Sequence, residues 1–482
     1  MPNVIAKNTT YLTFAYILQK VISFFYFIFI ARMLGVDDVG KYTFAISFTT
    51  LSAVFIDWGL SQILIRESAK YKEKAQDYLS ATLTFRLIAS AVVYLLVFIG
   101  IGFFVNLSGY DPITKQLVYL SGIVMILDSF TLGFWSMFRG FQNLKYEAIA
   151  VVVNQIIVIS VGSIALFLGL PLHFLIIAYV VGSLFNVFFS GISVKKKLNL
   201  SLTFKVDKKL IWFLLKLSFP FALLAIFGRI YGYVDQVLLY FLSGEKEIAW
   251  YTASYKMIFA LQFIPSAFAA AIFPAMSSYF IRSHEKLKDL FDKSMAYLTV
   301  LAVPMMFGLA SLADRIIKTA YGDEYIPSII VLQILSIGLI FVFLNFPIGS
   351  LLNATDRQKT NTKLVGLTMV INLILNLILI PKFNYLGACI AFLFSHGFLF
   401  FAGLFVARKI IPYSKRLLLI TFAKTILSGG LMSLAVVLLK PRVHLLISIG
   451  IGAAVYFIVM ILTKGLDKKD LIEFKRIFIK KG

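Results

Sequence analysis

The sequence is poor in two kinds of residue that stabilise or solubilise most globular proteins. Its 482 residues include one cysteine, Cys389, and only 14% of them are charged. A single cysteine cannot form an intrachain disulfide, which excludes a disulfide-stabilised fold. Soluble domains carry about 25% charged residues, so the low charged fraction argues against a soluble globule. So few charges are typical of a protein that lies within a lipid bilayer.

Motifs for the common enzymatic and nucleotide-binding chemistries are also missing. The sequence contains no HExxH, CxxC or GxSxG pattern and no Walker A loop of the form GxxxxGK[ST]. The four histidines are scattered, at His173, His284, His396 and His444. We therefore predict no bound metal or cofactor, no covalent chemistry on a substrate, and no transport powered by the chain's own ATP hydrolysis.

Long apolar runs dominate what is present. Hydrophobic residues make up 60% of the chain, and the mean hydropathy is +0.90. A helix needs about 20 apolar residues to cross a bilayer. Runs of that length occur about 14 times between residues 9 and 463. The predicted fold class is an all-α polytopic membrane protein with about 14 transmembrane helices.

The basic residues are distributed unevenly between alternate loops. The net charge is +23, and 31 lysines and arginines fall in one set of loops and termini against 6 in the opposite set. This asymmetry follows the positive-inside rule, so both termini are predicted to be cytoplasmic and the chain to lie in the cell membrane. A nucleic-acid partner is not expected, because a duplex-binding protein needs a soluble basic face with recognisable motifs.

Two internal similarities indicate a duplicated half. Lys20 matches Arg229, which lies 209 residues later (229 − 20), and residues 138–145 resemble 352–359 at an offset of 214 (352 − 138). Such repeats build many transporters around a path between two halves. The predicted domains are an N-lobe of six spans at 1–198, a C-lobe of six spans at 199–409, two further spans at 410–463, and a basic cytoplasmic tail at 464–482.

Several charged residues lie inside the predicted spans, where exposure to lipid costs roughly 3 to more than 10 kcal/mol each. Their depths follow from a rise of about 1.5 Å per residue. Matching depths predict three ion pairs, Asp57–Arg86, Lys20–Asp128 and Asp235–Lys256. Arg229 has no evident partner in the sequence, so it is the first candidate for a substrate contact.

The functional interpretation of these charges is a hydrated cavity with surplus positive charge. Counting Lys20, Arg86, Arg229, Lys256 and Lys424 against the three aspartates leaves +2, and the arginine fork suits phosphate oxygens. Lys424 lies outside the repeat, which favours a peripheral lysine that reaches the membrane surface. The alternative for the rest is a set of salt bridges that fix helix packing. Asp57, Asp128 and Asp235 are candidates for binding a coupling proton or sodium ion, but pairing alone explains them equally well.

Six segments together carry a family resemblance. They are ARMLGVDDVGKYTFA (31–45), IDWGLSQILIRESAK (56–70), LSFPFALLAIFGRIYGYVDQVLLYFLSG (217–244), IAWYTASYK (248–256), LLNATDRQK (351–359) and LNLILIPKFNYLGACIA (375–391). In combination they resemble the polysaccharide-transporter flippases, the Wzx-like members of the MOP superfamily, over essentially the whole chain. The MATE exporters and the lipid II flippase are related to that family.

The resemblance implies two six-helix lobes in a V shape with two additional helices. It implies as substrate an undecaprenyl-diphosphate-linked oligosaccharide, moved from the cytoplasmic to the outer leaflet by alternating access during the synthesis of surface polysaccharides such as O-antigen, with a polysaccharide polymerase as a partner. In similar flippases basic residues line the central cavity, and the corresponding candidates here are Lys20, Arg86, Arg229 and Lys256. The anionic headgroup would enter that cavity while the polyprenyl tail stays in lipid.

Three alternatives remain open from the sequence. A lipid II flippase shares the fold and is poorly separated from the first hypothesis. A cation-coupled MATE-like exporter would favour an acidic, aromatic pocket and fewer spans. A membrane-embedded glycosyltransferase or polymerase would need acidic residues and large extracytoplasmic loops, for which the predicted outer loops are too short.

Overall fold

The computed structural model describes residues 2–108 and 111–465, with side chains at 11–103 and 111–465. The predicted basic tail, 464–482, lies outside the described residues except for its first two positions. Seventeen α-helices are found in the described ranges. They are α1 Pro2–Met33, α2 Val36–Ser52, α3 Val54–Asp57, α4 Leu60–Lys70, α5 Ala75–Ser108, α6 Pro112–Gly140, α7 Lys145–Phe167, α8 His173–Leu198, α9 Lys208–Leu242, α10 Glu245–Leu261, α11 Phe263–Arg282, α12 His284–Tyr321, α13 Ser328–Ala354, α14 Gln358–Phe383, α15 Tyr385–Arg408, α16 Lys415–Leu439 and α17 Leu445–Leu462.

Fourteen membrane spans can be built from these helices. Two of the spans join consecutive helices, α2 with α3 and α10 with α11. The 11-residue amphipathic helix α4 follows the first of these spans. No strand occurs in the described part of the chain. The predicted fold class, an all-α polytopic membrane protein with about 14 spans, is confirmed.

The bounds of the helices repeat along the chain. Helices α2 and α10 each contain 17 residues and begin 209 residues apart (245 − 36). Helices α5 and α12 also begin 209 residues apart (284 − 75), and α6 and α13 end 214 residues apart (354 − 140). These are the two offsets that the sequence similarities predict, so the duplication extends to the positions at which helices begin and end.

The described chain forms two compact units, residues 1–249 and 250–482. In the first unit α9 packs against α2, α3, α4 and α5. By contacts, α9 therefore belongs with the helices that precede it, although in the repeat it is the first helix of the second half. The lobe boundary at 198/199 follows the repeat and stays a prediction.

The last two helices are attached to α12 within the second unit. Near one end of α12, the Asp292 carboxylate accepts hydrogen bonds from the backbone N–H of Ser414, at 3.1 Å to each oxygen. Near the other end, Lys440 Nζ lies 2.9 Å from Asp314 Oδ2, and Arg315 donates to the carbonyl of Val443. Apolar side chains of the three helices fill the space between these ties.

Candidate functional site

A cavity of about 480 Å³ lies within the first unit, enclosed by α2, α3, α4, α6, α8 and α9. Four charged side chains line it, Asp57, Asp128, Arg139 and Arg229. Three of these were predicted as site residues from the sequence, and the fold brings them to one place from three different spans. Lys20, which was expected to share this space with Arg229, is an exposed residue of α1 and is not among the described residues that line the cavity.

A break in the second span shapes one wall of the cavity. Helix α3 ends at Asp57, and the next two residues adopt left-handed conformations, with φ of 45° at Trp58 and 69° at Gly59. A Cβ added at Gly59 would lie 2.6 Å from the backbone nitrogen of Ala222 in α9. Glycine is therefore required both for the conformation and for the close approach of α9. Arg229 lies seven residues after Ala222, two turns further along the same helix face.

Arg86 and Asp57 form the ion pair that their matching depths predict. Arg86 is completely buried. It donates to Asp57 Oδ1, to the carbonyl of Ser129, and to Ser61 Oγ at 2.8 Å. Ser61 also donates to Asp57. The side chain of Asp57 is 20% exposed, so in this conformation Arg86 positions a carboxylate that lines the cavity and does not itself face the cavity.

Asp128 has a different partner from the predicted one. Ser183 Oγ donates to Asp128 Oδ1 at 2.6 Å, and this is the bond that the described structure gives to the carboxylate in place of an ion pair with Lys20. Asp128 is exposed to the cavity, because its side chain is among the lining residues and accessible. A carboxylate bonded to one hydroxyl keeps most of its capacity to bind a proton or a cation.

A second charged cluster, missed at the sequence level, joins three helices at one end of the cavity. Arg139 of α6 binds Glu147 of α7 through two hydrogen bonds, with Nε–Oε2 at 2.9 Å and Nη2–Oε1 at 2.5 Å. The hydroxyl of Tyr16 from α1 donates to Glu147 Oε1 at 2.7 Å and lies 3.2 Å from Arg139 Nη2. Glu147 is completely buried. The internal similarity at 138–145 includes Arg139, but Arg139 was not predicted as a site residue.

Arg229 is the charged lining residue left without a partner. It is exposed to the cavity, and no hydrogen bond or ion pair joins it to another residue in the described ranges. Two cations and two carboxylates line the cavity, so the predicted positive surplus is not found in this part of the molecule. What distinguishes the site is that Arg139 and Asp57 are neutralised by protein partners while Arg229 and Asp128 are not.

The remaining predicted residues lie elsewhere. Asp235 is buried in α9 of the first unit, and Lys256 is half-buried in α10 of the second unit; their pairing stays a prediction. Lys424 donates to the carbonyl of Lys464 at 2.8 Å and is peripheral, as its position outside the repeat indicated. No cluster of three or more His, Cys, Asp or Glu side chains suited to a metal ion occurs among the described residues.

Comparisons with known proteins place this architecture among polytopic transporters. Residues 5–280, more than half of the chain, match the family described as "Polysaccharide biosynthesis protein". The chain is 25% identical to the uncharacterized membrane protein MJ1068 of Methanocaldococcus jannaschii, over 98% of each chain. It is 24% identical to a putative O-antigen transporter of Shigella flexneri, over 80% of this chain and 94% of that protein. Its fold resembles the solved structure of the lipid II flippase MurJ in an inward closed conformation, with a TM-score of 0.78, 18% identity, and coverage of 94% of this chain and 98% of that one.

Proposed function

Because the chain belongs to the family of polysaccharide biosynthesis proteins, we propose that it is a flippase for an undecaprenyl-diphosphate-linked oligosaccharide. It moves this lipid from the cytoplasmic to the outer leaflet of the cell membrane by alternating access, with both termini in the cytoplasm. Two of the relatives are named as an O-antigen transporter and a glycan biosynthesis flippase, and the chain is accordingly a transporter and not an enzyme.

The observation that carries this proposal is the unpaired guanidinium of Arg229 in a membrane-embedded cavity. Arg229 is exposed to the cavity and no hydrogen bond or ion pair joins it to another described residue, so its guanidinium is available to bind an anionic ligand there. The planar fork of arginine binds two oxygens of a phosphate at once. Arg229 therefore binds the diphosphate, while Asp57, held in place by buried Arg86, forms part of the polar wall around it. Lys20 and Lys256 are proposed as further basic contacts for the headgroup, outside the cavity described above.

Asp128 couples the transport of this anion to a cation. Two unit charges of the same sign 8 Å apart repel each other by roughly 2 kcal/mol at an effective dielectric constant of 20. Asp128 and the diphosphate occupy one cavity of about 480 Å³, so a proton or sodium ion on Asp128 favours diphosphate binding. By linkage the diphosphate then favours cation binding to the same extent. Asp57 and Asp235 are weaker candidates for this role, since Asp57 is already paired with Arg86.

The first experiment is headgroup translocation in proteoliposomes by the wild type and Arg229→Ala. Loss of charge-assisted hydrogen bonds should raise KM for the diphosphate lipid roughly 10- to 100-fold, and Arg229→Lys should recover part of the loss. Lys424→Ala is the matched control, because Lys424 is a cation of the same membrane protein that lies outside the cavity.

The outcomes separate the site from the function. Normal transport by Arg229→Ala would remove Arg229 from the site. Failure of the wild type to move any diphosphate-linked glycan would remove the proposed function. Lipid II belongs in the same substrate panel, because the fold shared with its flippase does not distinguish the two headgroups. Preference for lipid II would redirect the proposal to peptidoglycan precursors.

A further inference from the structure

A second polar cavity lies inside the second unit, between α13, α14 and α15. Its volume is about 330 Å³. Its polar side chains are all uncharged, namely Asn345, Ser350, Asn353 and Asn361. The ring of Phe346 and several aliphatic side chains complete the lining. A chamber with three amides and no charged lining residue differs in kind from the charged cavity of the first unit.

The amides of this cavity have unused hydrogen-bonding capacity. Asn345 Nδ2 donates to the carbonyl of His396 at 3.3 Å, but Asn345 Oδ1 is buried and has no partner in the described structure. Asn361 Nδ2 donates to Asn353 Oδ1 at 3.2 Å, which leaves the other half of each amide available. Buried polar atoms without partners are uncommon in native proteins and point to a water molecule or ligand that satisfies them.

The equivalent place in the first unit carries charged side chains. At an offset of 214, Arg139 corresponds to Asn353 and Glu147 to Asn361, and each pair bridges two consecutive helices. In the first unit the hydroxyl of Tyr16 bonds to both members of the pair and fills the seam between their helices. In the second unit the paired amides of Asn353 and Asn361 line the cavity and have no charged partner there.

The chemistry of the lining selects a neutral ligand rich in hydroxyl groups. An amide both donates and accepts hydrogen bonds, as a hydroxyl does, so the two groups satisfy each other completely. A phosphate would need a cation, and the lining residues carry none. An isoprenoid chain would leave the unused amide groups of Asn353 and Asn361 without partners, at a cost of about 1–3 kcal/mol. The volume is near the lower end of the 300–1,000 Å³ range that is typical of small-ligand sites, which suits a single sugar ring that packs on Phe346.

We propose that the cavity formed by Asn345, Asn353, Asn361 and Phe346 is a saccharide subsite that binds one sugar residue of the transported lipid. The inference rests on the proposed function for the source of the sugar. This subsite lies within the second unit, whereas Arg229 lies within the first unit. Selectivity among glycans is expected to reside in the second half.

The test compares two lipids, bare undecaprenyl diphosphate and undecaprenyl diphosphate that carries a disaccharide. The full-length wild type, Asn345→Leu and Asn361→Leu are assayed for translocation in proteoliposomes and for equilibrium binding in detergent micelles. Removing one amide should raise KM and Kd for the disaccharide lipid roughly 5- to 10-fold and leave both constants unchanged for the bare lipid. Arg229→Ala should raise KM and Kd for both lipids by the same factor.

Gln333→Leu is the matched control, because Gln333 is an amide of the same helix α13 that bonds to the carbonyl of Ala310 and does not line the cavity. Thermal unfolding and size-exclusion profiles identify any variant that fails to fold, and Asn361→Leu, nearer the end of its helix, provides the second variant. Equal effects on both lipids, or no effect on either, would overturn the subsite. If the wild type transports neither lipid but binds the disaccharide lipid through Asn345, the subsite stands and the flippase proposal fails.

Discussion

The two halves of the molecule make the same ties between helices with different chemistry. In the first half Lys41 of α2 binds Asp111, just before α6, with Nζ–Oδ2 at 2.5 Å. The residue 209 positions after Lys41 is Trp250, whose indole donates to the carbonyl of Glu324 at 2.9 Å, just before α13. One tie is an ion pair, and its counterpart is a neutral hydrogen bond.

At two further pairs of equivalent positions, the first half also has charged residues where the second half has neutral ones. Arg139 and Glu147 form an ion pair where the second half has Asn353 and Asn361. Buried Arg86 is the twelfth residue of α5, and the twelfth residue of α12 is the buried methionine Met295.

Since one half folds with neutral groups at these places, the shared architecture does not require the charges. Two of the paired charges of the first half, Asp57 and Arg139, line the cavity together with Arg229 and Asp128.

The largest effect should come from Asp57→Ser, which introduces the residue found 209 positions later, Ser266. It leaves the completely buried guanidinium of Arg86 without a counter-charge, at a cost of about 3–5 kcal/mol in the free energy of unfolding. The double variant Asp57→Ser/Arg86→Met, which copies both residues of the second half, should recover most of that loss. Unfolding in mixed micelles measures both values. A double variant as unstable as the single one would show that the halves differ here in more than charge.

A smaller loss is expected for Glu147→Asn, because Arg139 is 28% exposed and can regain some hydration. We expect the single variant to lower the free energy of unfolding by about 2–3 kcal/mol. The double variant Arg139→Asn/Glu147→Asn, which reproduces the amide pair, should lower it by less. Asn361→Ala, the matched change in the second half, should cost about 1 kcal/mol or less. Equal losses in the two halves would contradict the distinction between an ionic and a neutral tie.

The break in the second span gives a third comparison, since the position equivalent to Gly59 is Phe268, inside the continuous helix α11. Gly59→Ala forces a side chain into a left-handed conformation and toward the backbone of Ala222. It should destabilise the protein by about 2 kcal/mol and slow transport. Gly35→Ala is the control and should be close to neutral, because its φ is −68° and no atom lies within 4 Å of the added Cβ.

The smallest effect concerns pH and the tie between Lys41 and Asp111. The hydrogen bond from Lys41, with a second from the backbone of Ile113, lowers the pKa of Asp111 in the folded state. The tie therefore stabilises the protein above the unfolded-state pKa of about 3.9 and is lost as the pH falls through the lower folded-state pKa. Asp111→Asn should cost about 1 kcal/mol or less at pH 7.

The same variant should cost nothing once the pH lies below the folded-state pKa. Trp250→Phe removes the neutral counterpart of this tie, and its cost should not change over the same pH range. Unfolding of both variants, followed from pH 7 down to a pH below the folded-state pKa of Asp111, makes the comparison. A cost for Asp111→Asn that is independent of pH would indicate that the carboxylate does not contribute through its charge.

The fold was largely predictable because its signals are long and repeated. About 20 consecutive apolar residues identify a span without knowledge of its neighbours, and the offsets of 209 and 214 recur in the helix bounds. The break at Trp58 and Gly59 was not predictable, because a single glycine in an apolar run is common in membrane helices. The need for glycine arises from the left-handed conformation at residue 59 and from the contact with Ala222 in a helix more than 160 residues later.

The sequence predicted how deep the charged residues of the site lie in the membrane, but not the direction in which their side chains point around the helix axis. Depth follows from residue counting, which correctly paired Asp57 with Arg86. It failed for Asp128, which shares a depth with Lys20 but bonds to Ser183. The direction in which a side chain points around the helix axis depends on amphipathic patterning, and the sequence of α1 has almost no amphipathic pattern. Arg139 was missed because a cation near a predicted helix end is usually explained by the positive-inside rule.

The double attachment of α16 and α17 to α12 has a mechanical consequence. Asp292 accepts hydrogen bonds from the segment that leads into the hairpin of α16 and α17. Asp314 and Arg315 bind the loop between these two helices. Because the hairpin of α16 and α17 is attached to α12 at both of its ends, it cannot move independently. It therefore moves with α12 as one rigid body whenever α12 tilts. A covalent crosslink between α16 and α12 should accordingly leave the rate of transport unchanged.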